Sequence, residues 1–224
     1  HRDLHSFPTR RSSDLFVYDE YRYQLHQKLS ITYKDRAKGL HKVLYLCPHC
    51  LTEHEMDSNG DLLWCNHCKK QYRMNEYGQL HAVEGDTEFS HIPDWYEFER
   101  QHVRKQILDG TYSFEDEVVV DSLPNSSGYI RLGTAKLTHS VDGFLLKGVF
   151  DGEPFELRKE PLSLYSLHIE YDYLGTTDCI DLSTLEDTYY LYPQTKKNVV
   201  TKLHFAVEEI YKIKKAEKLA LRDT

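Results

Sequence analysis

Short apolar runs separated by turn residues dominate the chain and predict mostly β-structure. Two of these runs, residues 43–46 and 62–64, each lead directly into a Cys-x-x-Cys pair, and the turn-forming stretch 57–61 lies between them. Two further runs flank residues 75–78, which have the composition of a hairpin turn. These strands and turns predict one small β unit over residues 41–85.

Two other segments have the apolar spacing of amphipathic helices. The first begins after Pro93 and ends near Leu108, with Gly110 as the expected C-terminal cap. We expect this helix to join two folded units within a linker region of residues 86–112. The second helix is predicted over residues 199–221, close to the end of the chain.

The stretch between the two helices predicts a larger β domain. Residues 117–193 contain eight short β-rich runs, and the Asp-Gly pairs at 142–143 and 151–152 are strong hairpin signals. Seven or eight antiparallel strands followed by one helix suggest a barrel or sandwich of pleckstrin-homology-like plan over residues 113–224. The predicted fold class is therefore α+β, with a small β unit, a linker helix and this β-rich domain.

The start of the chain differs in character from the rest. Residues 1–15 end in Arg-Arg-Ser-Ser-Asp-Leu, which is the translation of one frame of a common sequencing-library adapter. We expect these residues to be an artefact and exclude them from fold reasoning; the alternative is a natural basic arm. Residues 16–40, rich in tyrosine and charge, are then expected to be a linker or the end of an upstream domain whose sequence was lost.

Composition narrows the environment of the protein. The chain carries 28 Lys+Arg against 36 Asp+Glu, a formal net charge of −8 at pH 7. No stretch approaches the roughly 20 apolar residues of a membrane helix, and none resembles a signal peptide. Four of the 5 cysteines are paired in spacing, which suits a metal in a reducing compartment better than disulfides. We therefore expect a cytoplasmic location.

The two Cys-x-x-Cys pairs, Cys47 with Cys50 and Cys65 with Cys68, predict a metal centre. Fourteen residues separate the pairs, and a hairpin between them would bring four thiolates around one tetrahedral ion. Four protein ligands leave no open coordination position, so we expect a structural zinc ion. Iron in a rubredoxin-like site is the first alternative, and disulfides are the second.

The remaining reactive side chains do not form a catalytic pattern. His49 and His67 lie inside the Cys-x-x-Cys pairs, where we interpret them as solvent-facing loop residues and not as ligands. Cys179 stands alone on an apolar strand and is expected to be a small buried hydrophobic residue. We therefore predict no catalytic residue in this chain.

Many zinc ribbons bind nucleic acid, but the charge of this one argues against it. Phosphate binding requires a positive surface. Within residues 41–75, Lys42, Lys69, Lys70 and Arg73 are matched by Glu53, Glu55, Asp57 and Asp61. Four thiolates around a divalent ion would add a further formal charge of about −2. We therefore expect no nucleic-acid partner.

Several segments together resemble a known family. They are residues 43–50, 77–83, 87–96, 137–144 and 161–167, and the block that contains tryptophan is specific. With the final helix, they are similar to the C-terminal extension of long lysophosphatidic-acid (1-acyl-glycerol-3-phosphate) acyltransferase-like proteins of clostridial bacteria. The resemblance covers nearly all of the chain beyond its adapter-like start.

This resemblance implies a parent enzyme of phospholipid biosynthesis that transfers an acyl chain from a thioester donor to the free hydroxyl of a lysophospholipid at a membrane surface. Its catalytic Asn-His-x-x-x-x-Asp motif would lie upstream and cannot be placed on this chain. One His-x-x-x-x-Asp match does occur, from His81 to Asp86. Because it contains a glycine turn, in a chain with 13 histidines, we attribute it to chance.

The role that the resemblance implies is a non-catalytic regulatory or scaffolding tail. Its partner would be the upstream acyltransferase domain and, through that domain, the membrane surface. One alternative is a standalone zinc-ribbon interaction module. Another is an enzyme that uses His81 or Cys179, which predicts turnover by this chain alone.

Overall fold

Two antiparallel sheets and four α-helices are found in residues 18–124 and 128–221, which are the residues described by the structure, a computed structural model. The helices are α1 (Glu20–His26), α2 (Leu40–Val43), α3 (Ile92–Leu108) and α4 (Val200–Ala220). The strands of the first sheet are β1 (Met56–Asn59), β2 (Leu62–Cys65), β3 (Gln71–Met74) and β4 (Leu80–Ala82). Those of the second sheet are β5 (Phe114–Ser122), β6 (Ile130–Ser140), β7 (Gly143–Phe150), β8 (Glu153–Lys159), β9 (His168–Tyr173), β10 (Thr177–Ser183) and β11 (Thr188–Pro193).

This mixture of helices and antiparallel sheets confirms the predicted α+β class. A short 3₁₀ turn, Pro161–Ser163, connects β8 to β9. Residues 1–15, which the sequence predicts to be translated adapter, lie outside the described residues.

The four-stranded sheet is a meander in the order β1-β2-β3-β4. Asn59 pairs with Leu62 at the first hairpin, where Gly60 has a φ of +59° in the predicted turn. Alternation along β3 buries one face, and the ring of Tyr72 lies 5.0 Å from that of Trp95 in α3. The first sheet therefore buries its apolar face against α3.

The prediction of a strand at residues 43–46 is wrong. Helix α2 includes the first of these residues, and Leu46 makes an isolated bridge with Glu53. The reason lies in α3, because the side chains of Trp95 and Glu99 hydrogen-bond to the carbonyl and the amide of Leu46. Side chains thus satisfy backbone groups that a neighbouring strand would otherwise satisfy.

The seven-stranded sheet has the order β8-β7-β6-β5-β11-β10-β9, and every neighbouring pair is antiparallel. Two meanders, β5 to β8 and β9 to β11, meet where β5 pairs with β11. The runs predicted separately at residues 129–132 and 136–138 merge into the single strand β6. For this reason eight apolar runs produce seven strands.

The predicted barrel or sandwich is replaced by one open sheet, in which β8 and β9 form the two edges within the described residues. Helix α4 covers the apolar face of this sheet, where its Val200, Leu203 and Val207 pack with Val120 and Leu191. One amphipathic helix can bury the apolar side of a sheet. Closure of the strands on themselves is therefore not needed to form this core.

Helix α3, predicted as a linker, is a packed element that contacts both units. Its Trp95 lies in the core of the first sheet, whereas Val103 and Ile107 pack against Phe205 and Ile210 of α4. The helix thereby holds the two sheets together through side-chain packing. Of the four described helices, none is both long and apolar enough to cross a membrane.

Residues 18–40 pack against the first sheet. Arg36 donates from Nε to the carbonyl oxygen of Met74 at 2.7 Å. Gln24 donates from Nε2 to the carbonyl oxygen of Glu76 at 3.0 Å. These long-range bonds anchor the segment to the turn between β3 and β4.

Candidate metal centre

The four cysteines predicted as ligands come together beside the first sheet. The Sγ atoms of Cys47, Cys50, Cys65 and Cys68 all lie within 4.8 Å of one another. The sulfurs of Cys47 and Cys68 are 3.7 Å apart, and those of Cys50 and Cys65 are 3.8 Å apart. Cys47 and Cys65 are buried, whereas Cys50 and Cys68 are half-buried. Such a cluster could hold a metal ion.

Each Cys-x-x-Cys pair folds into the same tight turn. The amide of Leu51 donates to the carbonyl of Cys47 at 2.9 Å, and the amide of Lys69 donates to the carbonyl of Cys65 at 2.9 Å. Leu51 and Lys69 have φ angles of +60° and +67°, a left-handed conformation that is uncommon outside glycine. The two halves of the cluster are therefore built alike, and each turns sharply after its second cysteine.

Backbone amides point at the two buried sulfurs. Burial raises the pKa of the Cys47 thiol, and hydrogen bonds from the amides of His49 and Cys50 partly offset that rise. Burial also raises the pKa of the Cys65 thiol, with the amide of His67 among the offsetting donors. Donors around a sulfur stabilise the thiolate, which is the form that binds a metal ion.

Cys50 differs from the two buried cysteines. Burial raises the pKa of its thiol, but hydrogen bonds with the hydroxyl and the amide of Thr52 outweigh it and lower the pKa to about 6. The Cys50 sulfur and the Thr52 hydroxyl oxygen are 3.3 Å apart. Cys50 is therefore the cysteine of this turn that loses its proton most readily.

The spacing of the sulfurs fits a tetrahedral ion. Zinc–thiolate bonds of about 2.3 Å imply sulfurs about 3.8 Å apart at tetrahedral angles. The Cys47–Cys68 and Cys50–Cys65 separations are 3.7 and 3.8 Å, and every other pair of sulfurs lies within 4.8 Å. A disulfide needs a separation of about 2.05 Å, and all five cysteines are free thiols. Four sulfur ligands would leave no coordination position for a substrate. The arrangement therefore suits a structural ion.

Helix α3 fixes the backbone at the entry to the first turn. Leu46, which directly precedes Cys47, donates its amide to Glu99 Oε1 at 2.8 Å and accepts at its carbonyl from Trp95 Nε1 at 2.9 Å. Glu99 is fully buried, and its Oε2 has no hydrogen-bond partner among the described residues. Burial raises the pKa of this carboxyl well above its usual range.

Sequence reasoning missed Glu99, although a signal was present. Glu99 lies four residues from both Trp95 and Val103, so a helix places all three side chains on one apolar face. A carboxyl at such a position indicates a buried acceptor for a particular donor. The identity of that donor, the amide of Leu46, depends on tertiary packing.

The remaining candidates lie outside the sulfur cluster. His49 is exposed, with its Nδ1 2.9 Å from Glu88 Oε1, and His67 is exposed, with its Nδ1 3.3 Å from Thr52 Oγ1. Cys179 is fully buried in β10, as the sequence predicts, and burial raises the pKa of its thiol to about 12. The Cys179 sulfur is therefore held as an unreactive thiol.

The residues of the His-x-x-x-x-Asp match are both exposed and have separate partners. His81, on β4, has its Nε2 3.2 Å from Asn75 Nδ2. The backbone carbonyl of Asp86 accepts from Lys70 Nζ at 2.8 Å. The second contact ties the loop after β4 to the residue that precedes β3.

A polar cluster just beyond the first turn connects the metal centre's unit to α4, and sequence reasoning missed it. Glu53 accepts from Lys202 Nζ at 2.6 Å and from Gln106 Nε2 at 3.0 Å. His54 Nδ1 lies 3.2 Å from the carbonyl oxygen of Asn198. Glu53 and Lys202 are 149 residues apart in the chain, so no local pattern indicates their contact.

Comparisons of the chain with models of protein families, with curated proteins and with solved structures found no match.

Proposed function

We propose that this chain is a non-catalytic scaffolding region organised by one structural zinc ion. Cys47, Cys50, Cys65 and Cys68 hold the ion, which fixes the small unit in the shape that packs against α3. The observation that carries this proposal is the set of four sulfurs within 4.8 Å of one another, two pairs of which have the separation of ligands in a tetrahedral site. Four such ligands would leave no position for a substrate.

Zinc is the proposed metal because it has a single oxidation state and accepts a closed tetrahedral set of thiolates. Iron also accepts four thiolates. An iron site would give the purified protein a visible colour and a redox response, whereas a zinc site gives neither. Metal analysis therefore distinguishes the two ions directly.

We further propose that the chain is the C-terminal region of a 1-acyl-glycerol-3-phosphate acyltransferase-like protein of phospholipid synthesis. Support comes from the resemblance at residues 43–50 and 87–96, which include the first Cys-x-x-Cys turn and Trp95. In this proposal the partner is the upstream acyltransferase domain, on the cytoplasmic side, and the membrane surface is reached through that domain. The balanced charge of residues 41–75 supports the absence of a nucleic-acid partner.

We also propose that the second unit, which keeps the strand number and final helix of a pleckstrin-homology-like plan but not its closed barrel, is an interaction domain. Its support is the number of antiparallel strands, seven, and the single amphipathic helix that follows them. A fold of this kind would serve as an interaction domain, although fold alone does not define a function.

The test of the metal begins with elemental analysis of the purified chain. We expect about one zinc ion per chain, as four ligands around one ion require, and a lower melting temperature after treatment with a chelator. Cys47→Ser should lose the metal, and Cys179→Ser should keep it. A chain that folds without metal and ignores the chelator would overturn the proposal.

The proposed parent protein is tested by sequencing the source genome upstream of the codon for residue 16. An open frame that continues into Asn-His-x-x-x-x-Asp would support the acyltransferase-like parent. A start codon close to that position would instead leave a standalone interaction module. In parallel, the purified chain should not transfer acyl groups from acyl-CoA to lysophosphatidic acid, and turnover would overturn the non-catalytic role.

A further inference from the structure

A cluster of three tyrosines lies on the face of the second sheet opposite to α4. Ring centroids are 5.1 Å apart for Tyr129 and Tyr190, 5.4 Å for Tyr173 and Tyr190, and 6.2 Å for Tyr129 and Tyr173. Tyr129 and Tyr173 also share a hydrogen bond between their hydroxyls. The rings come from β9, β11 and the residue before β6, and each is partly exposed. We call this group the tyrosine cluster.

An incompletely paired carboxylate lies beside the tyrosine cluster. Asp181 of β10 is directly opposite Tyr190 on one side and His168 on the other. Its side chain is 8% exposed, and its Oδ2 is 2.6 Å from His168 Nδ1. Its Oδ1 is buried and has no hydrogen-bond partner among the described residues. A buried carboxylate oxygen without a partner is costly. Because this oxygen is enclosed, Asp181 would act on a ligand at the rings through its negative charge and not through a hydrogen bond.

The charge around the tyrosine cluster is negative. Asp121 lies opposite Tyr190 on β5, and Glu170 lies opposite Cys179, next to Asp181, on β9. These three carboxylates face the single guanidinium of Arg131, which pairs with Asp121. The hydrogen bond with Asp181 raises the pKa of His168, and the formal charge of the group is −2 when His168 is neutral and −1 when it is protonated. Aromatic faces carry partial negative charge and attract cations, so the rings and the carboxylates both favour a bound cation.

From this juxtaposition we propose that the tyrosine cluster and Asp181 form a binding site for an organic cation of the alkylammonium class. The alkyl groups contact the ring faces of Tyr173 and Tyr190, and the ammonium charge lies towards Asp181 and Glu170. Such a cation can come from a free amine or from the headgroup of a lipid. The site is separate from the metal centre and does not depend on the proposed parent enzyme.

A purely structural role for the rings is the competing explanation. Ile180 faces the core covered by α4, so Cys179, one residue earlier on β10, faces the side of the tyrosine cluster, and it is nevertheless 0% exposed. Rings that merely cover Cys179 would bind apolar molecules and cations equally poorly. The difference between a cation and its neutral isostere therefore separates the two explanations.

The experiment is a titration of the full chain with choline, in which binding is monitored through the NMR chemical shifts of the tyrosine rings. We expect saturable binding, and binding about tenfold weaker for 3,3-dimethylbutanol, the neutral isostere of choline. Asp181→Asn and Tyr190→Leu should each weaken choline binding by about tenfold. Tyr165→Leu, at a tyrosine that is 75% exposed and outside the cluster, is the matched control and should leave binding unchanged.

A second arm identifies the source of the cation. Co-sedimentation with phosphatidylcholine vesicles, but not with phosphatidylglycerol vesicles, would place the cation on a lipid headgroup. Binding of free choline alone would indicate a soluble amine. No saturable choline binding, equal binding of the isostere, or full binding by Asp181→Asn would each overturn the proposal. Asp181→Asn preserves side-chain shape, so it is informative even if Tyr190→Leu fails to fold.

Discussion

The two sheets of this protein bury their apolar faces by different means. The first has strands of three or four residues and adds a cluster of four cysteines to its core. The second has strands of 6 to 11 residues and a core formed with the helix α4. A short chain segment cannot bury enough surface to be stable alone, whereas a longer one can. The stability of the first unit should therefore depend on a bound ion and that of the second on packing.

The units are nevertheless in close contact. Arg104 of α3 and Glu209 of α4 pair at 2.8 Å, and Lys202 and Glu53 pair at 2.6 Å. The Glu209 side chain is 3% exposed. Unfolding of one unit should therefore affect the other through α3 and α4.

Loss of the metal should have the largest effect. Structural zinc contributes about 10–16 kcal/mol in isolated zinc-finger peptides, so Cys47→Ser should unfold the first sheet. Hydrogen exchange read by mass spectrometry should show lost protection in β1 to β4 and retained protection in β5 to β11. Cys179→Ser, in the second unit, should leave β1 to β4 protected. Equal loss in both sheets after Cys47→Ser would show that the two units unfold as one.

The second sheet should instead be destabilised most by substitutions in its hairpins. Gly143 has a φ of +94°, and a Cβ there would lie 2.0 Å from the carbonyl oxygen of Lys159. Gly143→Ala should therefore cost about 3 kcal/mol or more. Gly152 has a φ of +83° but open space around it, so Gly152→Ala should cost about 1 kcal/mol.

Both glycine variants carry similar strain from positive φ, and the difference in their free energies of unfolding isolates the clash at Gly143. Urea unfolding measures that difference, and zinc content should stay unchanged in both. Equal destabilisation by the two variants would contradict the argument from the Lys159 carbonyl. Loss of zinc from Gly143→Ala would show that the metal centre depends on the second sheet.

Local signals in the sequence predicted much of this structure. The Cys-x-x-Cys spacing identified the four clustered sulfurs, and the Asp-Gly pairs at 142–143 and 151–152 marked the hairpins between β6 and β7 and between β7 and β8. Each of these features depends on residues that are close in the chain. Short-range geometry was therefore sufficient to find them.

The failures of prediction depend on contacts between distant residues. Residues 43–46 have the composition of a strand, yet side chains from α3 bind the backbone of Leu46. The open second sheet follows from the packing of α4, which begins 86 residues beyond the start of β5. Asp181 gave no signal, because its position beside three tyrosines results from the pairing of β9, β10 and β11.

Removal of the ion pair between the units should cause the next largest loss of stability. Glu209 is buried between Arg104 at 2.8 Å and Lys212 at 2.6 Å. Glu209→Ala leaves those cations unpaired and should cost about 2 kcal/mol. Glu217, an exposed residue on the same helix, pairs with Lys214 at 3.5 Å, and Glu217→Ala should cost at most about 0.5 kcal/mol.

Thermal unfolding of Glu209→Ala, monitored by hydrogen exchange, tests whether this residue couples the two units. The transitions of the two sheets should lie further apart in temperature than in the unmodified chain, because the contact that couples them is weakened. If the midpoint temperatures of both transitions fall by the same amount, Glu209 stabilises the helix α4 itself and does not couple the units.

The smallest expected effect is a pH dependence of stability that is caused by the Glu99 carboxyl. Burial raises the pKa of this carboxyl in the folded chain, so the folded state holds a proton that the unfolded state releases. The favourable contribution of the protonated form is complete below the unfolded pKa of about 4.3 and is lost as pH rises towards the folded pKa.

Glu99→Gln keeps an oxygen acceptor for the Leu46 amide but cannot titrate. Its stability relative to the unmodified chain should therefore increase between about pH 5 and pH 8. Urea unfolding of both proteins across that range measures the difference, in which effects of pH on the thiols cancel. A constant difference for Glu99→Gln would mean that the buried carboxylate keeps its charge, and that Leu46 is held by a charged acceptor and not by a neutral one.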